Sequence, residues 1–303
     1  MKRKDFLIAA SLLPSFSFAE TTKEKRKPSF SIAHITDIHV KPGIIPETGM
    51  ANVLHLIQAS KLKPAFIVNT GDAIMDALEA SKEKTATQWA LYNRILKNEN
   101  TLPIYSCIGN HDIWGWFNKD ISLQQDVLYG KQWAVNELAI PKRYYHIEKE
   151  NWAFIFLDST QLNPAGGYIA KLDTEQMDWL TTLLEKVKDK HVCIFSHIPI
   201  LSICAGLFFN KTQPNGDLLI KRNLMHTDFL ELNSLFSKYT NIKACISGHI
   251  HMQDDIHYNG IRYMCNGAVC GNWWNGSFNG FAPAYAMLDF YKDGWVERKM
   301  ITY

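Results

Sequence analysis

The chain has 303 residues, of which 47% are hydrophobic, and its formal net charge at neutral pH is +2. That length and hydrophobic content suffice for a full buried core and predict a globular protein. A charge so close to balance excludes an electrostatic argument for a nucleic acid or an anionic membrane surface as an obligatory partner.

The N-terminus has the pattern of an export signal. A basic start is followed by an apolar run over residues 6–18 and by small residues ahead of a cut before Glu20. The run is short for a membrane span and contains Pro14, which argues against a permanent membrane anchor. We expect residues 1–19 to be removed and the protein to be exported, as a periplasmic or secreted protein, by the general or the twin-arginine route. The alternative is an amphipathic helix that packs on the domain.

The first half of the chain predicts alternating strands and helices. After a charged linker over residues 20–29, the elements are a strand over 30–35, a helix over 50–61, a strand over 65–68, a helix over about 80–98 and a strand that follows Pro103. Residues 41–48 contain two prolines and a glycine and are predicted as a loop. Strand, helix, strand is the unit of a parallel sheet, so the pattern indicates an α/β protein.

The second half adds strands without a fixed repeat, and we expect residues 30–303 to form one domain. The elements are an antiparallel pair over 144–148 and 152–157, a helix capped by Asp173, a strand over 191–195, a long loop over 198–223, a helix over about 224–239, a strand over 242–246 and two hairpins that turn at Gly260 and Gly294. Residues 113–141 are rich in aromatic side chains and follow no clear period.

Five of the predicted buried strands end in polar side chains. In chain order these side chains are Asp37, His39, Asp72, Asn110, His111, Asp112, His197, His249 and His251. Because ligands bind at the carboxyl ends of the strands in parallel sheets, we expect the five strand ends to meet in one crevice.

Seven of these side chains offer oxygen or nitrogen donors and no thiolate, a set that suits divalent or trivalent Mn, Fe, Zn, Co or Ni. They are Asp37, His39, Asp72, Asn110, His197, His249 and His251. Seven donors are too many for one ordinary ion, but they suit two ions about 3.5 to 4 Å apart if one carboxylate bridges them. Asp72 is the natural bridge.

The same residues form five sequence blocks. They are Asp-x-His at Asp37, Gly-Asp at Asp72, Gly-Asn-His-Asp at 109–112, a single histidine at His197, and Gly-His-x-His at 248–251. The ordered set resembles the five blocks of the calcineurin-like metallophosphoesterases and covers residues 30–260. The resemblance implies a four-layer αββα sandwich, in which two mixed central β-sheets are flanked by helices.

The resemblance also implies a role for each side chain. One metal ion would be bound by Asp37, His39, Asp72 and His251, and the other by Asp72, Asn110, His197 and His249. His111 maps onto the catalytic histidine of the family. A small phosphate ester is the implied substrate.

A site of this kind supports hydrolysis of a phosphate monoester or diester. Two metal ions would lower the pKa of a shared water to near neutrality, and the bridging hydroxide would attack phosphorus in line with the departing alkoxide. His111 would protonate the leaving oxygen as the catalytic acid. Asp112 would accept a hydrogen bond from the imidazole of His111 and hold its protonated form.

Two positions separate this chain from the purple acid phosphatases. Those enzymes carry Asp-x-Gly in the first block and a tyrosine three residues after the bridging aspartate, where this chain has His39 and Met75. The pattern is closer to the bacterial branch that includes cyclic-nucleotide phosphodiesterases. Two other functions stay open: an exported phosphatase of proteins or lipid headgroups, with the loop over 198–223 as its specificity element, and a binding scaffold without catalysis.

Aromatic and basic side chains near the blocks allow two interpretations. Stacking on a nucleotide base competes with packing under the long loops for seven aromatic residues: Trp114, Trp116, Phe117, Trp273, Trp274, Phe278 and Phe281. Four basic residues could bind a second phosphate or lie on a solvated surface: Arg143, Lys211, Lys221 and Arg222. The histidines outside the blocks, His34 among them, are expected to be structural.

Overall fold

The computed structural model describes residues 26–303. The predicted export signal over residues 1–19 and most of the predicted linker lie outside the described residues. Within 26–303, no helix combines the length and the apolar character needed to cross a bilayer.

Fifteen strands are present in the described part of the chain. They are β1 (Phe30–Ile35), β2 (Ile67–Asn69), β3 (Ile104–Ser106), β4 (Tyr145–Lys149), β5 (Trp152–Phe156), β6 (Thr160–Leu162), β7 (Tyr168–Ala170), β8 (His191–Phe195), β9 (Lys211–Thr212), β10 (Leu218–Leu219), β11 (Ile242–Ser247), β12 (Gln253–Tyr258), β13 (Ile261–Asn266), β14 (Ala284–Phe290) and β15 (Val296–Thr302).

The described residues also form six α-helices and two short 3₁₀ turns. The helices are α1 (Ile44–Gln58), α2 (Lys82–Glu99), α3 (Gln132–Glu137), α4 (Thr174–Lys186), α5 (Ile203–Phe208) and α6 (Phe229–Phe236). The 3₁₀ turns are Asn110–Asp112 and Ile121–Gln125.

Two mixed sheets contain eleven of the strands. The first sheet has the order β15-β14-β1-β2-β3, and the second has the order β12-β13-β11-β8-β5-β4. In the first sheet β1, β2 and β3 are parallel, and in the second sheet β5, β8, β11 and β13 are parallel. The remaining strands pair as two separate hairpins, β6 with β7 and β9 with β10.

The two sheets pack face to face, with a helical layer on each outer side. On β5, Phe154 points between the sheets, where its ring centroid lies 5.1 Å from that of Phe290 on β14. Its neighbour Ile155 points the other way and packs with Leu180 of α4 and Leu232 of α6. The helices α1 and α2 contribute to the core cluster of the first sheet. The architecture is the predicted four-layer αββα sandwich.

The helix predicted over 50–61 begins earlier than expected. Helix α1 starts at Ile44 and includes Pro46, which the sequence analysis placed in a loop. Proline is tolerated in the first turn of a helix because the N–H group that it lacks has no partner there. A hydrogen bond of 3.0 Å from the backbone N–H of Gly43 to Glu47 Oε1 stabilises this start.

The helix predicted over about 224–239 is shorter in the structure, where α6 covers Phe229–Phe236. The residues before it bond to other segments: the N–H group of His226 donates to Pro199 O at 3.0 Å, and that of Thr227 donates to Ala170 O at 2.8 Å. These donors are therefore engaged before the helix begins.

The predicted loop over 198–223 contains α5 and the β9–β10 hairpin, and the β6–β7 hairpin was not predicted at all.

Candidate metal centre

The predicted donor side chains meet at one edge of the two sheets. Each follows a parallel strand: β1, β2 and β3 in the first sheet, and β8 and β11 in the second. The structure brings all seven together, and six of them are buried: Asp37, His39, Asp72, Asn110, His197 and His251. His249 is half-buried.

Asp72 lies at the middle of this group. Its Oδ2 atom is 3.4 Å from His39 Nε2 and 3.3 Å from His197 Nε2. Its Oδ1 atom accepts a hydrogen bond of 2.8 Å from the backbone N–H of His111. One carboxylate oxygen of Asp72 therefore faces histidines that follow strands of two different sheets.

The other donors divide into two sets, one on each side of Asp72. On one side His39 Nε2 is 3.2 Å from His251 Nε2, which is 3.4 Å from Asp37 Oδ1. On the other side His197 Nε2 is 3.0 Å from Asn110 Oδ1 and 3.2 Å from His249 Nδ1. The division has the same membership as the two ligand sets implied by the resemblance. That these side chains bind metal stays a prediction.

Each donor histidine also contacts a backbone carbonyl with its second ring nitrogen. The pairs are His39 Nδ1 with Met75 O at 3.4 Å, His197 Nδ1 with Thr70 O at 3.0 Å, His251 Nδ1 with Gly271 O at 2.6 Å and His249 Nε2 with Asn223 O at 2.8 Å. A carbonyl can only accept, so a neutral imidazole places its N–H there and its lone pair toward the centre.

At the two contacts of 3.2 Å, His39 with His251 and His197 with His249, a proton carried by one ring joins the two nitrogens in the metal-free centre, and a cation can replace that proton. The carbonyl contacts are the outer interactions that orient histidine ligands in metal proteins. The donor set therefore fits metal ions. Groups of three side chains with ligand atoms close enough for one ion include Asp72, His197 and His249.

The backbone at the strand ends is strained. Five of the seven donors have positive φ angles: Asp37 (51°), His39 (46°), Asp72 (52°), His249 (71°) and His251 (54°). Non-glycine residues seldom adopt this region, and such residues concentrate at functional sites.

Two glycines allow the strand ends to approach one another. A Cβ atom at Gly109 would lie 2.0 Å from the backbone nitrogen of Asp72, and one at Gly248 would lie 2.3 Å from Asp37 Oδ2. Any side chain at either position would separate the donors. The glycines of the Gly-Asn-His-Asp and Gly-His-x-His blocks are therefore required by packing.

Burial and charge together set the protonation of the metal-free centre. Burial opposes ionisation of Asp72, but the nearby imidazoles, led by that of His197, hold its pKa well below the ordinary value. Burial likewise opposes protonation of His197, but the Asp72 carboxylate outweighs it and raises the pKa of His197 to about 9. Burial lowers the pKa of both His39 and His249 to about 3. These two rings stay neutral and can accept a cation.

His111 lies at the open side of the centre. Its side chain is 29% exposed, and its Nδ1 atom is 3.4 Å from Asp76 Oδ1. Its ring centroid is 4.9 Å from that of His39. Burial opposes protonation of the ring, but the carboxylates of Asp72 and Asp76 outweigh it and raise the pKa of His111.

The predicted contact between Asp112 and His111 is wrong. Asp112 is fully buried, and its Oδ2 atom accepts from the N–H of Gly109 at 2.8 Å while its Oδ1 atom accepts from that of Ala73 at 2.8 Å. Its carboxylate therefore joins the ends of β2 and β3 and does not reach the imidazole. The carboxylate beside His111 belongs to Asp76, which no sequence block contains.

Two residues on the His249 side were not predicted from the sequence. Asn223, which follows β10, accepts from His249 Nε2 with its backbone oxygen. The other is Tyr168 of β7, whose ring centroid lies 6.3 Å from that of His249. Neither residue belongs to a motif, and only the fold of the two hairpins brings them to the site.

The aromatic side chains separate into two groups. Trp114 is fully buried and packs against Trp133 at 5.3 Å between ring centroids, which agrees with the packing interpretation. Trp273 instead lies against the centre, 4.5 Å from the ring of His251. The next residue, Trp274, donates from Nε1 to His39 O at 3.0 Å. Both Trp273 and Trp274 have positive φ angles, 47° and 69°.

Comparison with known proteins agrees with this site. The sequence model of one family, described as calcineurin-like phosphoesterase, matches residues 30–253. The 3′,5′-cyclic adenosine monophosphate phosphodiesterase CpdA of Haemophilus influenzae is 23% identical over 283 residues, which cover 90% of this chain and 86% of that protein. A 3′,5′-cyclic-nucleotide phosphodiesterase of Nostoc is 23% identical over 281 residues, covering 88% of this chain and 90% of that protein.

Among solved structures, a dimetal phosphatase from Danio rerio has a TM-score of 0.60 with this chain at 16% identity. The match covers 91% of this chain and all of the other. At that identity the likeness shows the fold.

Proposed function

Because the chain belongs to the calcineurin-like phosphoesterase family and is therefore a metal-dependent hydrolase of phosphoric esters, we propose that it hydrolyses small phosphodiesters, with 3′,5′-cyclic nucleotides as the first candidates. The names of the curated relatives support this substrate class. So does the resemblance of the five sequence blocks to the cyclic-nucleotide phosphodiesterase branch.

One observation supports a centre with two metal ions: Asp72 Oδ2 lies within 3.4 Å of a histidine from each donor set. We propose that Asp72 bridges two ions of Mn, Fe, Zn, Co or Ni, held by the two donor sets described above. Bound there, such ions would supply a nucleophilic water of lowered pKa and would polarise the phosphoryl oxygens.

His111 is proposed as the acid that protonates the leaving oxygen. Asp76 faces Nδ1 of the ring, so it binds one N–H of the imidazolium and leaves the N–H at Nε2 free to donate. Carboxylates that raise the pKa of His111 favour the protonated ring that this role requires. Asp112 is assigned no contact with the substrate, because both of its oxygens bind backbone.

A second candidate is hydrolysis of lipid-headgroup phosphoesters. The segment over 198–223 exposes several large apolar side chains, which would suit an apolar substrate. They are Ile203, Leu207, Phe208, Leu218, Leu219 and Ile220. Phosphomonoester hydrolysis uses the same centre and is tested alongside.

A substrate panel tests these functions together. Metal-free protein is reconstituted with Mn, Fe, Zn or Ni and assayed on cyclic AMP, bis-p-nitrophenyl phosphate, p-nitrophenyl phosphate and phospholipid headgroup analogues. We expect the two diesters to be hydrolysed faster than the monoester. The proposal fails if no diester is hydrolysed with any metal, and preferential hydrolysis of the headgroup analogues would favour the second candidate.

We also propose that residues 1–19 direct export and are removed. The support is the basic and apolar pattern of that segment. N-terminal sequencing of the mature protein from separated cell fractions tests it: a start at Glu20 outside the cytoplasm is expected, and a mature protein that keeps Met1 would refute export by cleavage.

A further inference from the structure

A pocket of about 590 Å³ opens next to the His249 side of the candidate metal centre. Its lining includes Phe117, Tyr168, Leu219, Arg222 and Asn223. These residues come from three separate segments of the chain: the loop after the Gly-Asn-His-Asp block, the β6–β7 hairpin, and the end of β10 with the residues that follow it. No donor side chain of the metal centre lines this pocket.

Aromatic and apolar side chains form the walls of the pocket. The rings of Phe117 and Tyr168 are nearly parallel, with 16° between their planes and 6.2 Å between their centroids. Leu219 and Ile220 also line the pocket and are 46% and 40% exposed, so apolar surface is left without a partner among the described residues. Flat aromatic groups bind well on surfaces of this kind.

One residue joins the pocket to the metal centre. The backbone oxygen of Asn223 accepts from His249 Nε2 at 2.8 Å, and Asn223 lines the pocket together with Tyr168, whose ring centroid lies 6.3 Å from that of His249. A group bound against Tyr168 is therefore adjacent to a predicted metal ligand. The pocket is a continuation of the site and not a separate surface feature.

The rim of the pocket is positively charged. Lys221 and Arg222 both line it, and neither forms an ion pair within residues 26–303. Unpaired cations at a pocket mouth favour anionic ligands. Apolar aromatic walls with a basic rim suit a flat ring attached to a phosphate better than a neutral alkyl chain.

The pocket and His111 lie on different sides of Asp72. His111 stands next to His39 of one donor set, with ring centroids 4.9 Å apart, whereas the pocket adjoins His249 of the other set. We therefore infer that the leaving oxygen lies beside His111 and that the organic group that stays bonded to phosphorus extends toward the pocket.

We propose that this pocket binds a flat heteroaromatic ring, of the nucleobase type, carried by the group that stays on phosphorus. Phe117 and Tyr168 are its stacking surface, and Leu219 packs against the edge of the ring. The inference rests on the proposed phosphodiesterase function and adds to it the identity of the specificity pocket.

Two esters with the same leaving group test the pocket. Thymidine 5′-(p-nitrophenyl phosphate) and methyl p-nitrophenyl phosphate both release p-nitrophenolate, and they differ in the group that stays on phosphorus. We expect kcat/KM for the thymidine ester to be roughly tenfold or more above that for the methyl ester, the usual contribution of one stacked base.

Variants assign the preference to the pocket. Phe117→Ala should reduce the ratio of the two kcat/KM values by roughly fivefold or more, mainly through KM, and Phe117→Tyr should retain it. Leu219→Asn changes an exposed side chain, so it should fold normally while lowering the ratio. Tyr258→Ala, at an exposed position on β12, is the control with an unchanged ratio.

Ligand binding separates this proposal from the proposed function. Calorimetric titration of the metal-loaded protein with AMP and with ribose 5-phosphate compares ligands that share a phosphate and differ in the base. Tighter binding of AMP, lost in Phe117→Ala, supports the pocket even if no ester is hydrolysed. Equal affinities for the two ligands, or a substrate ratio that Phe117→Ala and Leu219→Asn leave unchanged, would overturn it.

Discussion

The Nδ1 atom of His111 lies 3.4 Å from Oδ1 of Asp76, and this carboxylate faces the imidazole in the place predicted for Asp112. Asp76→Asn removes the negative charge that favours the imidazolium. We expect kcat for cyclic AMP, whose leaving group is an alkoxide, to fall roughly 10- to 100-fold. Esters of p-nitrophenol should lose less, since their leaving group needs little protonation. Equal losses for both substrates would contradict the acid-orienting role, and Asp189→Asn is an exposed control.

His111 itself is expected to act without binding metal. His111→Ala should lower kcat by roughly 10²- to 10⁴-fold, the range of general acid catalysis, because the leaving oxygen departs without a proton. Metal content per chain, measured by mass spectrometry, should be unchanged. A variant that purified without metal under the same conditions would show that His111 is a ligand.

Gly49 in α1 tests the placement of Trp274. A Cβ atom at Gly49 would lie 2.1 Å from a ring carbon of Trp274, whose indole donates to His39 O. Alanine in place of a helical glycine ordinarily stabilises by about 0.5–1 kcal/mol. We expect Gly49→Ala to destabilise the protein instead and to weaken metal binding, because the indole must move.

Thermal unfolding of this variant is compared with that of Gly206→Ala in α5, where the added Cβ would meet only a side-chain atom at 3.4 Å. The control should keep or raise the melting temperature. A melting temperature of Gly49→Ala above that of the unmodified protein would show that Trp274 does not occupy this place.

His34 predicts a defined pH dependence of stability. It is fully buried on β1, with Nε2 3.0 Å from Thr70 Oγ1 and Nδ1 3.0 Å from the Asn266 amide nitrogen. The amide donates to Nδ1, so the ring is neutral with its proton on Nε2. Burial lowers the pKa of His34 to about 3, whereas an unfolded histidine titrates near about 6.5. The contribution of the neutral His34 ring to the free energy of unfolding is therefore complete above about pH 6.5, and it is lost as the pH falls toward about 3.

Urea unfolding of the metal-free protein measures this effect. The free energy of unfolding of the unmodified protein should fall between about pH 7 and about pH 4.5. In His34→Gln the decrease over the same range should be smaller by roughly 1–3 kcal/mol. His55→Gln changes an exposed imidazole and should follow the unmodified protein. Parallel pH curves for His34→Gln and the unmodified protein would rule out this role for His34.

The sequence predicted which side chains meet at the strand ends better than it predicted the residues around them. Buried parallel strands with polar ends already indicated that Asp72 and His197 would meet, because the carboxyl ends of such strands converge. Asp112 was assigned to His111 because the two are adjacent in sequence, yet the 3₁₀ turn directs its carboxylate to backbone N–H groups of Gly109 and Ala73. Adjacent side chains in a tight turn point in different directions.

The remaining residues were beyond the reach of local patterns. Asp76, Tyr168 and Asn223 lie outside every motif, and long-range contacts bring them to the site. The N–H group of Ala77 donates to His111 O at 2.8 Å, which places the segment of Asp76 beside the 3₁₀ turn Asn110–Asp112. The sequence predicts a helix for the segment before α6, but the backbone N–H groups of His226 and Thr227 donate hydrogen bonds to Pro199 and Ala170 instead. Tertiary contacts of this kind have no signature in a single sequence.

Metal stoichiometry shows whether Asp72 joins two ions. Metal-free protein is loaded with Mn²⁺, freed of excess ion and analysed for Mn per chain. We expect two ions per chain for the unmodified protein and for the exposed control Asp217→Ala, and at most one, with loss of diesterase activity, for Asp72→Ala. Two ions retained by Asp72→Ala, or a single ion in the fully active unmodified protein, would contradict it.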